Sequence, residues 1–187
     1  MASTASKQEP DAISLAAFNQ AVSEHSDGLK AFASRLLNDR IGGEDVAQDA
    51  LLALYRHLHQ VPPAAYRPWL YRVARNLCLD ILRRRRFKLR LFRDVQRDDD
   101  SRPLAMVDRG TGTPLEMAES EEARSAIETA VQALPEKFRE AFVLCELEGM
   151  SYEDAAVVLQ CPVKTVSTRL FRARQRFRSL VSQQVDF

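Results

Sequence analysis

The sequence predicts an all-α fold in which two small helical domains are joined by a flexible acidic linker. Apolar residues recur at steps of three and four along most of the chain, and no stretch shows the alternation typical of β-strands. The length of 187 residues suits one domain or two small ones. We therefore divide the chain into a tail at 1–11, a first domain at 12–92, a linker at 93–118 and a second domain at 119–187.

The first domain begins with two predicted helices and a break between them at 26–28. The glycine in this break favours a turn over a helix. A second turn at 41–43, which contains two glycines, precedes a helix over 44–59. Two prolines follow that helix, and Pro68 suits the first turn of a long helix that leads into the arginines at 83–86.

The second domain carries a pattern typical of a helix-turn-helix. Helices are predicted over 120–133 and 135–149, where a proline begins the second helix and a glycine ends it. Ser151 then caps a short helix, and Pro162 opens the last helix, which runs to about residue 182. Two helices joined by three or four residues form a helix-turn-helix.

The last helix has an apolar side and a basic side. The apolar stripe, at steps of three and four, is Val163, Val166, Leu170, Ala173 and Phe177. The polar and basic positions are Lys164, Thr165, Ser167, Thr168, Arg169, Arg172 and Arg176. In a helix-turn-helix the first turns of this helix meet base edges in the major groove, where arginine can bond guanine. The alternative is an amphipathic surface helix with a solvated basic face.

Charge is sorted into blocks along the chain, although the net charge is only +1. Residues 83–97 hold eight basic residues and one acidic residue, whereas residues 98–122 hold eight acidic residues and two basic ones. Residues 164–178 hold six basic residues and no acidic one. Blocks of one sign indicate partners of the opposite sign, so a net charge near zero does not exclude nucleic acid.

The helix over 44–59 presents a polar face opposite its apolar stripe. This face, the α2 docking face below, is formed by Asp45, Gln48, Asp49, Leu52 and Arg56. An acidic and amide surface with an exposed leucine indicates a docking site for a basic protein partner. An ordinary solvated helix face is the alternative interpretation.

Aromatic and basic side chains are interleaved around the start of the long helix. The aromatic residues are Tyr66, Trp69 and Tyr71, and the basic ones are His59, Arg67, Arg72 and Arg75. This mixture suits single-stranded nucleic acid, because bases stack on the rings while the cations hold phosphates. An unstacked base could also be captured in a pocket. The alternative is that Trp69 and Tyr71 belong partly to the core.

Two blocks of the sequence together resemble the extracytoplasmic-function (ECF) sigma factors of RNA polymerase. The first block is EDVAQDAL at 44–51, with YR at 55–56 and WLYRVARN at 69–76. The second block is LP at 134–135, EGMSYEDAA at 148–156, CPV at 161–163 and FRAR at 171–174. The order and spacing of the blocks match the family over about 14–92 and 120–182.

The resemblance implies a role in transcription initiation. It implies that the α2 docking face binds the clamp coiled coil of the largest subunit of core RNA polymerase, and that the second domain contacts the flap of the second-largest subunit. The residues implied in recognition of the −10 promoter element are Tyr66, Trp69, Arg72, Asn76, Arg83 and Arg84. Those implied in recognition of the −35 element are Pro162, Lys164, Thr165, Ser167, Thr168, Arg169, Phe171 and Arg172.

The resemblance also implies a second protein partner, an anti-sigma factor, which in this family is often bound to the membrane. The chain itself has no apolar run of the ~18 residues that a membrane span needs and no signal-type stretch at 1–11, so we expect a cytoplasmic protein without membrane insertion. A stand-alone helix-turn-helix regulator that binds operator DNA is the alternative function.

An enzyme is not indicated, and we expect neither a cofactor nor a metal. The histidines at 25, 57 and 59 have no cysteine at metal-binding spacing, and no phosphate-binding glycine loop is present in the sequence. Three cysteines, Cys78, Cys145 and Cys161, are too few and too scattered for a disulfide framework. We interpret Cys145 and Cys161 as small buried apolar residues. A redox-sensing thiol is the alternative, for which Cys161 in the predicted turn is the better candidate.

Overall fold

The computed structural model describes residues 12–95 and 116–185, and these fold into α-helices joined by short turns, a 3-10 helix (Pro63–Ala65) and a π-helical segment (Val143–Leu147). The helices are α1 (Ala12–Leu37), α2 (Arg40–Arg56), α3 (Tyr66–Val95), α4 (Glu116–Ala133), α5 (Glu136–Phe142), α6 (Tyr152–Leu159) and α7 (Val163–Val185). The predicted all-α class with two helical domains is confirmed. Most of the predicted linker and the tail at 1–11 lie outside the described residues.

Helix α1 is continuous, so the predicted break at 26–28 is wrong. Gly28 lies inside the helix at a close approach to α3, where an added Cβ would stand 2.4 Å from the Tyr71 hydroxyl oxygen. A glycine inside a helix costs about 1 kcal/mol relative to alanine. Burial of Leu29 and Phe32, which follow on the same helix, offsets that cost.

Helix α2 begins at Arg40, so the predicted turn at 41–43 is also wrong. The carboxylate of Asp39 caps the helix, accepting a hydrogen bond of 3.0 Å from the backbone N–H of Gly42. Gly43 lies in the first turns because α1 passes very close there: a Cβ at Gly43 would stand 2.5 Å from the backbone nitrogen of Ser34. Tight packing of two helices, rather than a turn, explains this glycine.

We expect Asp39→Ala to lower the free energy of unfolding by about 0.5–2 kcal/mol, the range for loss of a helix cap. Two hydrogen bonds hold the pKa of Asp39 below its ordinary value of 3.8: the one from the Gly42 N–H has the larger effect, and the one from Arg85 the next largest. A lowered pKa in the folded state means that this stabilisation is present above pH 3.8 and disappears as pH falls through the lower folded value. Urea unfolding at pH 7 and pH 3 measures both effects.

Asp39→Asn is the control for that experiment, because it keeps a capping oxygen and removes only the charge that Arg85 meets at 2.6 Å. It should retain most of the stability that Asp39→Ala loses. Equal stability of wild type and Asp39→Ala at pH 7 would show that the cap contributes nothing.

The second domain is built around α7, which packs on α5 and α6. Val166, Leu170 and Ala173 of α7 are fully buried, and Phe177 stacks on Phe142 with ring centroids 4.7 Å apart. Val163, predicted to face the core, is instead 40% exposed, because it is the first residue of the helix and lies at the edge of the packed region.

The two domains pack against each other, and their buried apolar residues form one connected cluster. Helix α3 of the first domain lies against α6 of the second. Arg75 of α3 also forms an ion pair with Glu140 of α5, which is a second contact between the two domains. Among the described helices, none is long and apolar enough to cross a membrane.

Candidate nucleic-acid interface

The predicted helix-turn-helix is confirmed as α6, a turn over Gln160–Pro162, and α7. Ser151 caps α6, with its hydroxyl oxygen accepting from the N–H of Asp154 at 3.0 Å. At the other end Gln160 adopts the left-handed conformation (φ 52°), and the Cys161 N–H bonds the Ala156 carbonyl at 3.1 Å. These contacts end α6 and redirect the chain so that α7 begins at Val163.

A groove with a volume of about 530 Å³ runs along the first turns of α7. We call it the α7 groove; it is lined by Lys137, Phe138, Pro162, Lys164, Thr165, Thr168, Arg169 and Arg172. Six of these residues are among the predicted −35 contacts. The other two predicted contacts, Ser167 and Phe171, are exposed on α7 beside the groove, and the Phe171 side chain is 60% exposed.

The α7 groove carries uncompensated positive charge. Among the described residues, no carboxylate forms an ion pair with its cations, Lys137, Lys164, Arg169 and Arg172. Two other arginines of α7 have partners of their own: Arg174 bonds Glu146 at 3.0 Å, and Arg176 lies 5.5 Å from the centre of the ring of Phe138, a groove residue. A concave surface of free cations suits a polyanion such as a nucleic-acid backbone.

Lys137 is a member of this groove that sequence reasoning missed. It lies on α5, outside the helix-turn-helix, and the tertiary fold brings it beside Lys164 and Arg172. Its ammonium also stands 5.3 Å from the centre of the Phe138 ring. No periodicity or spacing in the sequence connects a residue of α5 with the first turns of α7, so no local signal could have revealed it.

The predicted −10 residues differ in their exposure. Asn76, Arg83 and Arg84 are exposed along α3, and Trp69 and Arg72 are half-buried. The Trp69 ring lies 5.9 Å from the His57 ring.

Two tyrosines of this segment are instead part of the core. Tyr66 is 4% exposed, and burial raises the pKa of its hydroxyl. The interpretation of Tyr71 as a core residue is confirmed, since it is 2% exposed and packs on Phe32.

The five residues of the α2 docking face are all exposed, and the opposite side of α2 is buried through Val46, Ala50 and Leu54. Leu52 is 51% exposed and Tyr55, one turn further on, is 42% exposed. The Tyr55 ring is held edge-on by Phe18 at 5.3 Å between centroids. The face therefore combines acidic groups with an exposed apolar contact.

The thiols differ in their surroundings. Burial raises the pKa of Cys78 to about 12 and that of Cys145 to about 11, which disfavours their reactive thiolate forms. Cys161 is half-buried in the turn of the helix-turn-helix. Among the described residues, no group of three or more histidine, cysteine or acidic side chains could hold a metal ion.

Comparison with known proteins places both domains in one family. Residues 21–88 match the Sigma-70 region 2 family, and residues 124–177 match the Sigma-70, region 4 family. RNA polymerase sigma-H factor of Pseudomonas aeruginosa is 33% identical over 85% of this chain and 83% of its own length. ECF RNA polymerase sigma-E factor of Haemophilus influenzae is 34% identical over 88% of this chain and 87% of its own.

A further relative, ECF RNA polymerase sigma factor SigE of Mycolicibacterium smegmatis, is 28% identical over 92% of this chain, which spans 65% of that protein's length.

Two solved structures are similar over 91% of the chain. One is the sigma factor RpoE from Bartonella quintana in complex with the anti-sigma factor NepR, with a TM-score of 0.69, 25% identity and 98% of that chain covered. The other is CnrH in complex with the cytosolic domain of CnrY, with a TM-score of 0.62, 26% identity and 96% of that chain covered. The two-domain helical fold, the helix-turn-helix and the two family matches lead to one assignment: the chain belongs to the ECF sigma factors of the sigma-70 family.

Proposed function

We propose that this ECF sigma factor binds core RNA polymerase and directs it to promoters through their −35 and −10 elements. The observation that carries the proposal is the α7 groove, in which free cations line the first turns of a helix-turn-helix. In this motif those turns read base edges in the major groove, and the helix before them crosses the DNA backbone.

The −35 element is read from α7. Arg172 and Arg169 have the length and donor geometry to bond guanine, and Phe171 offers an apolar contact for a thymine methyl group. The Thr168 hydroxyl donates to the Lys164 carbonyl at 2.9 Å, which leaves its oxygen free to accept a bond from a base or a water.

The −10 element is bound along α3. Trp69 is half-buried, so part of its ring is available for stacking on an unpaired base, and Arg72 and Asn76 lie within the next two turns of the helix. The exposed arginines at 83 and 84 contact the DNA backbone further upstream. Tyr66 belongs to the core in this conformation, so its share in DNA binding would require a local rearrangement.

Core RNA polymerase is bound through the α2 docking face, with the clamp coiled coil of the largest subunit as the basic partner. The flap of the second-largest subunit binds the second domain. An anti-sigma factor is the second protein partner, as in the solved complex of the similar sigma factor RpoE with the anti-sigma factor NepR. The protein acts in the cytoplasm and has no catalytic activity of its own.

Run-off transcription with purified core polymerase is the deciding experiment. Genomic promoter fragments are transcribed with core enzyme alone and with core enzyme plus this protein, and we expect discrete transcripts only with both. The free protein should bind the same fragments weakly. Tight, sequence-specific DNA binding by the free protein without any stimulation of transcription would instead identify an operator-binding regulator.

We expect Lys137→Gln to weaken promoter binding to a similar extent on all sequences. A lysine that neutralises one phosphate changes the slope of log affinity against log salt by about 1 and carries no sequence information. The measurement is binding of reconstituted polymerase to a −35 duplex over a series of salt concentrations. Lys30→Gln is the matched control, because Lys30 is a partly exposed lysine of α1, far from the α7 helix in the sequence, that pairs with Asp27 at 3.0 Å. An unchanged salt slope would remove Lys137 from the interface.

A further inference from the structure

The side chain of His57 is fixed at the end of α2 with one ring nitrogen left open. Its Nδ1 lies 2.8 Å from the backbone carbonyl oxygen of Ala53, in the last turn of the helix. A carbonyl oxygen can only accept a hydrogen bond, so Nδ1 carries the proton, and Nε2 of the neutral ring is an acceptor. None of the described residues donates a hydrogen bond to this Nε2, and His57 is exposed.

The backbone of His57 is held on both sides as well. Its N–H bonds the Leu54 carbonyl at 2.9 Å, and its own carbonyl accepts from the N–H groups of Gln60 at 2.8 Å and Val61 at 3.1 Å. These bonds end α2 and begin the turn that follows it. Because the ring direction is set before a ligand arrives, less freedom is lost when the ring binds one.

Trp69 lies beside this histidine at the start of α3. The centres of the two rings are 5.9 Å apart, and their planes are inclined by 42°. Trp69 is half-buried, with part of its side chain packed against the core and part at the surface. A base that stacks on the outer part of the Trp69 ring therefore has the His57 ring at its edge.

A path for the phosphates of a single strand continues from this ring along α3. Arg72 and Asn76 follow Trp69 by three and seven residues, so the three lie on one side of the helix over about 10 Å. None of the described carboxylates forms an ion pair with Arg72. The positive charge beside the two rings is thus available to a polyanion.

An acceptor at the edge of the stacked base distinguishes between bases. Adenine carries an N6 amino group and cytosine an N4 amino group, both of which are donors, whereas guanine and thymine carry the carbonyl oxygens O6 and O4 at that edge. Two acceptors that face each other form no hydrogen bond. Nε2 of His57 therefore fits adenine or cytosine.

We propose that His57 is a specificity-determining residue, whose Nε2 accepts a hydrogen bond from the exocyclic amino group of an unpaired adenine or cytosine stacked on Trp69. The inference rests on the proposed function, because it takes Trp69 as the stacking site for a promoter base. It adds to that function a residue outside the predicted −10 set and a chemical class of base.

The single tryptophan of the chain makes the test direct, because quenching of its fluorescence reports a base at Trp69. The full chain is titrated with single strands of about ten nucleotides. One strand carries adenine, and the other carries unsubstituted purine, which has the same rings and lacks only the amino group. We expect wild type to bind the adenine strand roughly 3–10-fold more tightly, the effect of one hydrogen bond.

Three variants assign this preference to one atom. His57→Phe keeps a ring beside Trp69 and removes Nε2, so the preference for adenine over purine should disappear. His57→Gln should keep part of it, because one amide can donate to the Ala53 carbonyl and accept from the base. His59→Phe is the matched control at an exposed histidine two residues further on, and it should keep the full preference. Stacking within each strand is the same for all variants and cancels in the comparison.

Equal affinity of wild type for the adenine and purine strands would overturn the assignment. The same preference in wild type and His57→Phe, or an equal loss in His59→Phe, would also overturn it. Circular dichroism checks that helical content is kept. If His57→Phe unfolds, wild type is titrated with a cytosine strand and with a strand of the cytosine analogue that lacks the amino group, and equal affinities would then overturn the assignment.

Run-off transcription with core polymerase separates this inference from the proposed function. Promoter-dependent transcripts without any preference for the amino group would overturn the role of His57 alone. A preference that depends on His57, without transcripts, would overturn the proposed function and leave a site for single-stranded nucleic acid.

Discussion

Replacing Asp49 by arginine is expected to weaken binding of core RNA polymerase at least a hundredfold. Asp49 is exposed at the centre of the α2 docking face, between Asp45 and Leu52, and no described cation pairs with it. The proposed partner surface is basic, and placing like charges together across an interface costs several kcal/mol, roughly two or more factors of ten in affinity. A fluorescence binding titration with labelled protein and purified core enzyme measures the loss.

The matched control is Asp27→Arg. It makes the same change of charge in the same domain, at an α1 residue whose side chain is 97% exposed. The fold should be unaffected by either substitution, because exposed positions tolerate such changes within about 0.5 kcal/mol. If Asp49→Arg binds core polymerase as well as the control does, the α2 docking face is the wrong surface.

Replacing Arg172 by alanine is expected to weaken −35 recognition by about 1–3 kcal/mol, or roughly 5–150-fold. Arg172 lines the α7 groove and has no carboxylate partner among the described residues, so its guanidinium is free to bond a base. A bidentate bond to guanine carries discrimination of this size. The measurement is binding of reconstituted polymerase to a wild-type promoter and to promoters with each −35 position changed.

Arg174→Ala is the matched control for Arg172→Ala. It removes the same group from the same helix, but Arg174 is paired with Glu146 and lies outside the α7 groove. If Arg172 contacts a base, Arg172→Ala should lose affinity for the wild-type promoter. It should lose little on a promoter in which the contacted base pair has already been changed. An equal loss on every sequence would make Arg172 a phosphate contact and would leave base recognition to Arg169 and the other groove residues.

Most helices could be predicted from the sequence, and so could the polar face of α2 and the basic side of α7. The cap at Ser151, the proline before α5 and the split of α7 into an apolar and a basic side are local signals, and the structure bears them out. Two local signals misled. The glycines at 28 and 43 indicate turns when read alone, but each is a place where two helices approach too closely for a side chain.

The sequence by itself determined the all-α class, the helix-turn-helix, the acidic face of α2 and the sorting of charge into blocks. These depend on steps of three and four residues, on caps and on composition, all of which act within a few turns of one helix. Only the tertiary structure decided that Lys137 joins the α7 groove and that Arg75 meets Glu140, a residue 65 positions away. Contacts between distant segments depend on how whole helices pack, because burial and ion pairing are properties of the assembled surfaces and not of any stretch of sequence.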